Sequence, residues 1–364
     1  MPAPSTTDPT SAPLPPPGTF LQTVRNSSYS LRSKNAPEIT INEDAIEPFL
    51  QQINVDQWKT LSTRPPLVLP LKFDSPEQEI NFVGLVEFLT IGSAWNHELQ
   101  QYLNTNNRDV ILFGLLSLHL SSMPLTASFF RSISLSDIAN YFNIPLQREL
   151  QHPTLPMTLT EPHPIKVFAE LLQTTMNELG AALEEKGHKD LGAYLLNAFN
   201  QAGSATKFVE SLNRTFSTLQ DATYTPSHPI YIFSRAQRIA HTLHQSFPSK
   251  FPFPDVSDLT VCITDSTIPS FLASHGILHA DKVVLEALKD SSHPEAKYLI
   301  AKVRAATLDG CLAIVRKAKE VGAEGLQDMN GEGLDAYLWG VVKDKAYSDR
   351  VQSSWWTDNQ CKWY

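Results

Sequence analysis

Apolar residues recur at steps of three and four along most of this chain, and that spacing limits the fold more than any other feature. Such spacing places the apolar side chains on one face of an α-helix. The stretch that Pro164 opens is the longest case, with Phe168, Leu172, Met176 and Leu179 on a common face. The pattern predicts a mainly α protein, a single compact helical domain with a few short strands.

Two serines mark predicted helix starts. Ser75 precedes Pro76 and Gln78, and Ser134 precedes Asp137. Each serine can therefore cap a helix, and the side chain three positions later can return a hydrogen bond to the cap. The predicted helices cover 43–53, 76–95, 109–120, 137–141, 164–183, 190–199, 204–216, 234–247, 269–278, 280–289, 294–321 and 333–343. Short strands are predicted at 67–73 and 261–264.

Two stretches lack helical spacing. Residues 1–19 are dense in Pro, Ser and Thr and hold few large apolar residues, so burial cannot offset the entropy of ordering them, and we expect a disordered tail there. The helical domain then spans 20–364. Residues 144–162 are rich in Pro and Thr, which predicts an internal loop or a subdomain junction.

The charge balance and the cysteines limit the partners and the compartment. The 29 basic and 38 acidic side chains give a net charge of -9, which disfavours direct binding of nucleic acid and leaves small anionic ligands open. No run approaches the roughly 20 apolar residues of a membrane span. Three widely spaced cysteines and the lack of a secretory signal pattern predict a cytoplasmic protein, with a nuclear location also open. The number of subunits is not predicted.

Several enzyme classes are disfavoured by missing motifs. The 15 glycines form neither a phosphate-binding loop nor a dinucleotide fingerprint, and no serine lies in a nucleophile elbow. The pairs His241 with His244 and His275 with His279 share helical faces, but neither has the intervening Glu of a metalloprotease helix. We therefore expect solvated or capped histidines, no metal and no cofactor.

An aspartate follows the apolar run at 261–264 and could face a pocket. Pro269 opens a helix just beyond it, so Asp265, Ser266 or Thr267 could instead cap that helix. From these residues alone, capping is the simpler interpretation of Asp265.

Three arginines are candidates for binding an anion. Arg235 and Arg238 lie one helical turn apart and could converge on it, or could form a solvated face paired with acids. Arg304 lies in an otherwise apolar helix, where a guanidinium needs a partner. Asp265, Asp309 or a ligand could be that partner.

Aromatic residues crowd the last ten positions. They are Trp355, Trp356, Trp363 and Tyr364. Such an end either docks into the fold or forms a stacking wall for a planar base.

Five segments, in chain order, resemble motifs of the queuosine salvage family. They read FSRAQ at 233–237, TVCITD at 260–265 with PS at 269–270, VRAAT at 303–307, YLWG at 337–340 and CKWY at 361–364. A further segment, PLTASFF at 124–130, resembles the family's Pro-Ile-Thr-x-x-Ser-Tyr-Tyr. The resemblance covers nearly the whole chain after the tail.

The resemblance implies a helical, metal-free N-glycosidase, similar in fold to helical glycosylases. The family cleaves the bond between ribose 5'-phosphate and the base queuine, which returns to tRNA modification. Asp265 aligns with the family's catalytic aspartate, where a carboxylate can stabilise an oxocarbenium ion and orient water. The substrate-binding candidates are Arg235, Arg304, Trp339 and Ile263.

Four positions depart from the family pattern. Ser234, Ser266, Thr267 and Gly340 stand where the family carries Lys, Tyr, Arg and Asp. A noncatalytic nucleoside-binding pseudoenzyme of the same fold is therefore the alternative. Excision of bases from DNA is disfavoured by the net charge of -9.

Overall fold

The computed structural model describes residues 12–33, 38–64, 67, 71–151, 157–225, 228–290 and 293–342, the side chains of 31–33 excepted. The helices are α1 (Phe20–Ser33), α2 (Ile46–Gln52), α3 (Val55–Ser62), α4 (Pro76–Leu89), α5 (Asn96–Leu103), α6 (Asn107–Leu120), α7 (Ala127–Ser132), α8 (Leu135–Tyr141), α9 (Lys166–Glu185), α10 (Leu191–Ala202), α11 (Ala205–Thr215), α12 (Ser234–Ser246), α13 (Thr267–Ser274), α14 (Lys282–Lys289), α15 (Ala296–Glu320) and α16 (Gly331–Val342). The strands are β1 (Ile39–Ile41), β2 (Gln147–Gln151), β3 (Thr158–Pro162), β4 (Ala222–Tyr224), β5 (Pro229–Tyr231) and β6 (Leu278–Ala280).

The prediction of a mainly α fold with a few short strands is confirmed. The strands of the described ranges pair as three antiparallel two-stranded ladders, β1 with β6, β2 with β3 and β4 with β5. None of the helices in these ranges has the length and apolar character needed to cross a membrane.

The described residues form two compact units. The first unit contains residues 12–67 and 202–342, and the second contains residues 71–201. The divisions fall near residues 68 and 201, whereas 144–162 lies inside the second unit.

The first unit is organised around α15. This 25-residue helix is buried along most of its length and packs against α1, α2, α13, α14 and α16. Its many alanines let these neighbours approach closely, while Arg304, Thr307 and Asp309 bring polar groups into the interior. Because buried polar groups need partners, α15 also determines where the surrounding polar side chains lie.

The second unit is built on α9. Its buried face includes Phe168, Leu172, Met176 and Leu179, as the sequence spacing predicts. The helix packs against α4, α7 and α8.

Both predicted caps are confirmed. The Ser75 hydroxyl accepts the N–H of Gln78 at the start of α4, and Pro76 occupies the first turn. Ser134 and Asp137 form a reciprocal capping box at α8.

Part of the expected disordered tail is held in place. Gly18 N–H donates to Glu210 at 2.6 Å, Arg214 donates to the Pro15 carbonyl at 3.0 Å, and the Tyr231 hydroxyl donates to the Pro13 carbonyl at 2.7 Å. A Pro-rich segment can thus be fixed through its carbonyl groups without an apolar face of its own. Residues 1–11 lie outside the described residues.

The predicted loop at 144–162 contains a β-hairpin. Strands β2 and β3 pair in register, with Leu150 opposite Leu159 and Arg148 opposite Glu161. The Arg148 and Glu161 side chains approach to 3.5 Å. Both strands are largely exposed, so the alternation of apolar and polar residues that normally predicts a strand is missing.

The strand predictions at 67–73 and 261–264 are wrong where the structure describes them. Residues 71–73 and 261–264 pair with no neighbouring strand among the described residues. Helices α1, α3, α5 and α7 were not predicted, since α1 is mostly polar and the other three are short.

The start of α16 requires a residue without a side chain. A Cβ atom on Gly331 would collide with the Leu259 carbonyl oxygen and lie 3.2 Å from the Thr260 Cα. We expect Gly331→Ala to lower the free energy of unfolding by about 1–3 kcal/mol, because backbone must move to relieve the overlap.

Gly333→Ala is the matched control for this prediction. Its Cβ would meet the nearest atoms at 3.3–3.4 Å, so we expect a change within about 1 kcal/mol. Chemical denaturation of both variants measures the difference. Equal stabilities would contradict the proposed close approach of α16 to Leu259.

Candidate active site

The segment 259–266 crosses the interior of the first unit outside any helix or strand, and side chains bind its backbone groups in place of a neighbouring strand. Gln237 accepts hydrogen bonds from the N–H and the hydroxyl of Thr260, at 2.9 and 3.0 Å. Asp335 accepts the Cys262 N–H at 2.8 Å, and His241 Nε2 donates to the Thr260 carbonyl at 3.0 Å. Helices α12 and α16 therefore satisfy a buried backbone that would otherwise need a sheet.

Arg304 completes this arrangement from α15. Its Nε and Nη2 donate to the Ile263 carbonyl at 2.9 and 2.6 Å. Its Nη1 and Nη2 donate to the two carboxylate oxygens of Asp221 at 2.9 and 2.6 Å. The sequence-based candidates for its partner, Asp265, Asp309 or a ligand, did not include the acid that the structure provides.

Ile263 and Ser234 belong to the same network. The Ser234 hydroxyl donates to the Ile263 carbonyl at 3.0 Å, and the Ser234 N–H donates to Asp221 at 3.3 Å. Ile263 is fully buried, so its carbonyl is the part of the residue that these polar groups contact.

The helix that carries Ser234 begins with an unusual backbone turn. Phe233 has φ 50°, in the left-handed region that a bulky residue seldom adopts. Its ring is buried and stacks on Phe20 with centroids 5.2 Å apart. This packing holds the turn that leads from β5 into α12 and brings Ser234 and Arg235 into the interior.

Asp265 lies near the end of the segment 259–266, just before α13 begins. Its Oδ1 accepts the Thr267 N–H at 2.8 Å, so the capping interpretation describes part of its role. The residue is half-buried, and desolvation of the carboxyl raises its pKa, opposed by the Thr267 hydrogen bonds and by the charges of Arg238 and Arg304. A carboxylate within electrostatic reach of two guanidinium groups is a candidate for proton transfer.

Arg238 is held between α12 and α16. Its guanidinium lies 5.0 Å over the Trp339 ring and 3.4 Å from an Asp335 carboxylate oxygen. Trp339 is half-buried, and its ring N–H has no hydrogen-bond partner within the described ranges. Arg238 thus contacts the predicted site residue Trp339, and its charge acts on the predicted site residue Asp265.

Arg235 occupies the first turn of α12 and is buried, with 4% of its surface exposed. It does not form the solvated face that the sequence allowed as one interpretation. Its neighbours Ser234 and Gln237 both contact the segment 259–266. Arg235 therefore lies in the part of α12 that borders the site.

Three of the four histidines in the predicted pairs, His241, His244 and His275, contact backbone carbonyls. His244 Nδ1 lies 2.9 Å from the Phe251 carbonyl, and His275 Nδ1 lies 3.0 Å from that of Phe271. Burial lowers the pKa of His241, which favours its neutral form. In the described part of the chain, no three His, Cys, Asp or Glu side chains are arranged to hold a metal ion.

Two acids near the site were not found from the sequence. Asp221 precedes β4 and pairs with a residue 83 positions later, so no local pattern indicated it. Glu332 lies one turn before Asp335 on α16, a spacing that could have drawn attention to it. Burial, and then the charge of Asp335, raise the pKa of Glu332 to about 7.

Leu61 packs closely against Gly340, which accounts for a residue without a side chain at this position. A Cβ at this position would lie 2.9 Å from two methyl carbons of Leu61, which packs on α16 from α3. An aspartate, which the family resemblance places here, would meet this apolar side chain. The cluster 355–364, including Trp355, Trp356, Trp363 and Tyr364, lies outside the described residues.

Fold and site together define a mainly α protein in which the charges of two arginines act on a desolvated carboxyl next to a largely buried segment. The family model described as queuosine salvage protein matches residues 122–364. The chain therefore belongs to the queuosine salvage protein family. It takes part in queuosine salvage, and the family implies a nucleotide-like small molecule as substrate. None of the curated proteins compared with the chain matches it.

Glu332 predicts a pH dependence of stability. Its side chain is 7% exposed, and its Oε2 lies 3.9 Å from His244 Nε2. The pKa of Glu332 rises from 4.5 to about 7 on folding, so its contribution to the free energy of unfolding is complete below pH 4.5 and is lost as the pH rises through 7. The wild type should therefore lose about 3 kcal/mol of stability across this window. In Glu332→Gln, which has no carboxyl to ionise, we expect this loss to be absent.

Denaturation of wild type and Glu332→Gln at several pH values between 4.5 and 8 measures this effect. Glu324→Gln, at an exposed site of the same unit, is the control and should follow the wild type. Parallel curves for wild type and Glu332→Gln would contradict the assignment.

Proposed function

We propose that the chain hydrolyses the N-glycosidic bond of queuosine 5'-phosphate, or of a related deazapurine nucleotide, and releases queuine for salvage into tRNA modification. The observation that carries the proposal is the desolvated Asp265 carboxyl within reach of Arg238 and Arg304, in a chain of the queuosine salvage family.

The chemistry requires a carboxylate beside the sugar. As the bond from the anomeric carbon to the base nitrogen breaks, its electron pair stays on the base and positive charge develops on the sugar. Asp265 stabilises this charge and takes a proton from the attacking water, whose oxygen bonds to the anomeric carbon. The base nitrogen gains a proton from solvent and Asp265 returns the proton it took to solvent, so one water is consumed and the products are queuine and ribose 5-phosphate. Water is the only co-substrate, so the step needs no cofactor.

The surroundings of Asp265 suit this role. Desolvation raises its pKa, which makes the carboxylate a stronger base than an exposed aspartate. The nearby guanidinium groups act in the opposite direction and favour the ionised form. The balance keeps a basic carboxylate in a site with little water.

The remaining candidates receive separate roles in the proposal. Arg235 binds the 5'-phosphate from the first turn of α12, and Trp339 stacks on the planar base. Arg304 and Ile263 act through the backbone, since the Arg304 guanidinium contacts Asp221 and the Ile263 carbonyl. These two residues shape the substrate site by fixing the segment that leads to Asp265.

Asp265→Asn tests the proposal. The amide oxygen can still accept the Thr267 N–H, so we expect a folded protein. Because an amide can neither accept the proton nor stabilise the charge, the rate of queuine release should fall by at least about 100-fold. Incubation with queuosine 5'-phosphate and chromatographic detection of queuine measures the rate.

Asp328→Asn, at an exposed position before α16, is the matched control and should release queuine at the wild-type rate. Normal turnover by Asp265→Asn would remove Asp265 from the mechanism. A folded wild-type protein that binds queuine or the nucleotide without cleaving any nucleotide offered would instead support the pseudoenzyme alternative. That alternative is favoured by the apolar contact of Gly340, which stands at a position where the family carries a carboxylate.

A further inference from the structure

The ion pair between Asp221 and Arg304 is the most buried one in the described residues of the first unit. The Arg304 side chain is 1% exposed and that of Asp221 is 6% exposed. Two parallel hydrogen bonds of 2.9 and 2.6 Å join them. Paired in this way, a guanidinium and a carboxylate have a fixed mutual orientation as well as compensated charge.

Asp221 also holds the backbone around the site. Its carbonyl accepts the N–H groups of Ile232 and Phe233 at 3.1 and 3.3 Å, and its carboxylate accepts that of Ser234. Through Arg304 it is connected to the Ile263 carbonyl, two residues before Asp265. One acid thus links the start of α12 with the segment that carries Asp265.

Each cation that faces Asp265 has a second acid of its own. Arg304 from α15 is paired with Asp221, and Arg238 from α12 contacts Asp335 of α16 at 3.4 Å. From the first residue of α13, Asp265 accepts the Thr267 N–H. In an interior of low polarity, a guanidinium without its counter-ion is strongly attracted to any remaining carboxylate. Loss of Asp221 would leave Asp265 exposed to that attraction.

We propose that Asp221 is a positioning residue that holds Arg304 on the Ile263 carbonyl and so leaves the Asp265 carboxylate free to act on water. The inference rests on the proposed hydrolysis for its catalytic meaning, while the arrangement of charges can be tested without it.

Asp221→Asn is the first variant. With its counter-ion lost, Arg304 should interact more strongly with Asp265 and lower its pKa, so the acid limb of the pH profile of kcat/KM should move down by about one pH unit. A more strongly paired carboxylate is a weaker base, so kcat should fall about tenfold while KM stays nearly constant. In Asp221→Asn with Arg304→Met, the cation is absent, and the acid limb should return to or above its wild-type position.

Two further variants separate positioning from stability. Glu87→Gln breaks the buried pair of Glu87 with Arg108 in the second unit and should lower stability without moving the pH profile. Arg304→Lys keeps both charges but loses the two-point contact with Asp221, so it should move the acid limb in the same direction by a smaller amount. Arg304→Lys replaces Asp221→Asn in this test if Asp221→Asn does not fold.

A readout independent of turnover is the carbon-13 NMR titration of the Asp265 carboxyl, assigned by its absence from Asp265→Asn. A lowered titration midpoint in Asp221→Asn, restored in the double variant, supports the inference even if the wild type cleaves no nucleotide. That outcome would reject only the proposed hydrolysis. An unchanged midpoint in folded Asp221→Asn, or in Arg304→Lys if the former is unfolded, would overturn the inference.

Discussion

The guanidinium of Arg304 is the group around which the rest of the first unit is arranged. A charge in the middle of a buried helix costs several kcal/mol unless its hydrogen bonds and its charge are both compensated. Asp221 compensates the charge, and the Ile263 carbonyl accepts the remaining bonds. These contacts determine where the segment 259–266 crosses the interior. The position of Asp265 follows from that crossing, because it is the point at which the segment reaches α13.

The candidate site therefore depends on side chains that perform the work of a missing strand. Gln237, Asp335 and Arg304 bind backbone groups of the segment from three different helices. Asp221 and Asp335 each contact an arginine as well as a backbone N–H, whereas Asp265 accepts the Thr267 N–H. In the proposed mechanism, Asp221 and Asp335 therefore have structural roles and Asp265 carries out the chemistry. The serine at 234 fits this scheme, since its short hydroxyl reaches the Ile263 carbonyl.

Local physical rules account for the part of the structure that the sequence predicts. Apolar spacing indicated α9 and α15, and the serine caps before α4 and α8 form as expected, because each depends on residues within a few positions. The hairpin of β2 and β3 was not predicted because both of its faces are exposed. The hydrogen bonds of residues 13–18 were not predicted because their partners are distant in the sequence. Arg304 was correctly expected to need a partner, but Asp221 lies 83 positions away and only the fold brings them together. The β-branched residues at 261–264 predicted a strand, yet the backbone there is bound by side chains and not by a neighbouring strand.

In the proposed reaction, water attacks the anomeric carbon of a deazapurine nucleotide at Asp265. Hydrolysis of queuosine 5'-phosphate in water enriched in oxygen-18, followed by mass spectrometry of both products, follows the oxygen of that water. We expect one heavy oxygen in the ribose 5-phosphate, measured before it exchanges with solvent, and none in the released queuine. Release of queuine without label in the sugar, or no release from a folded protein, would contradict the proposed reaction.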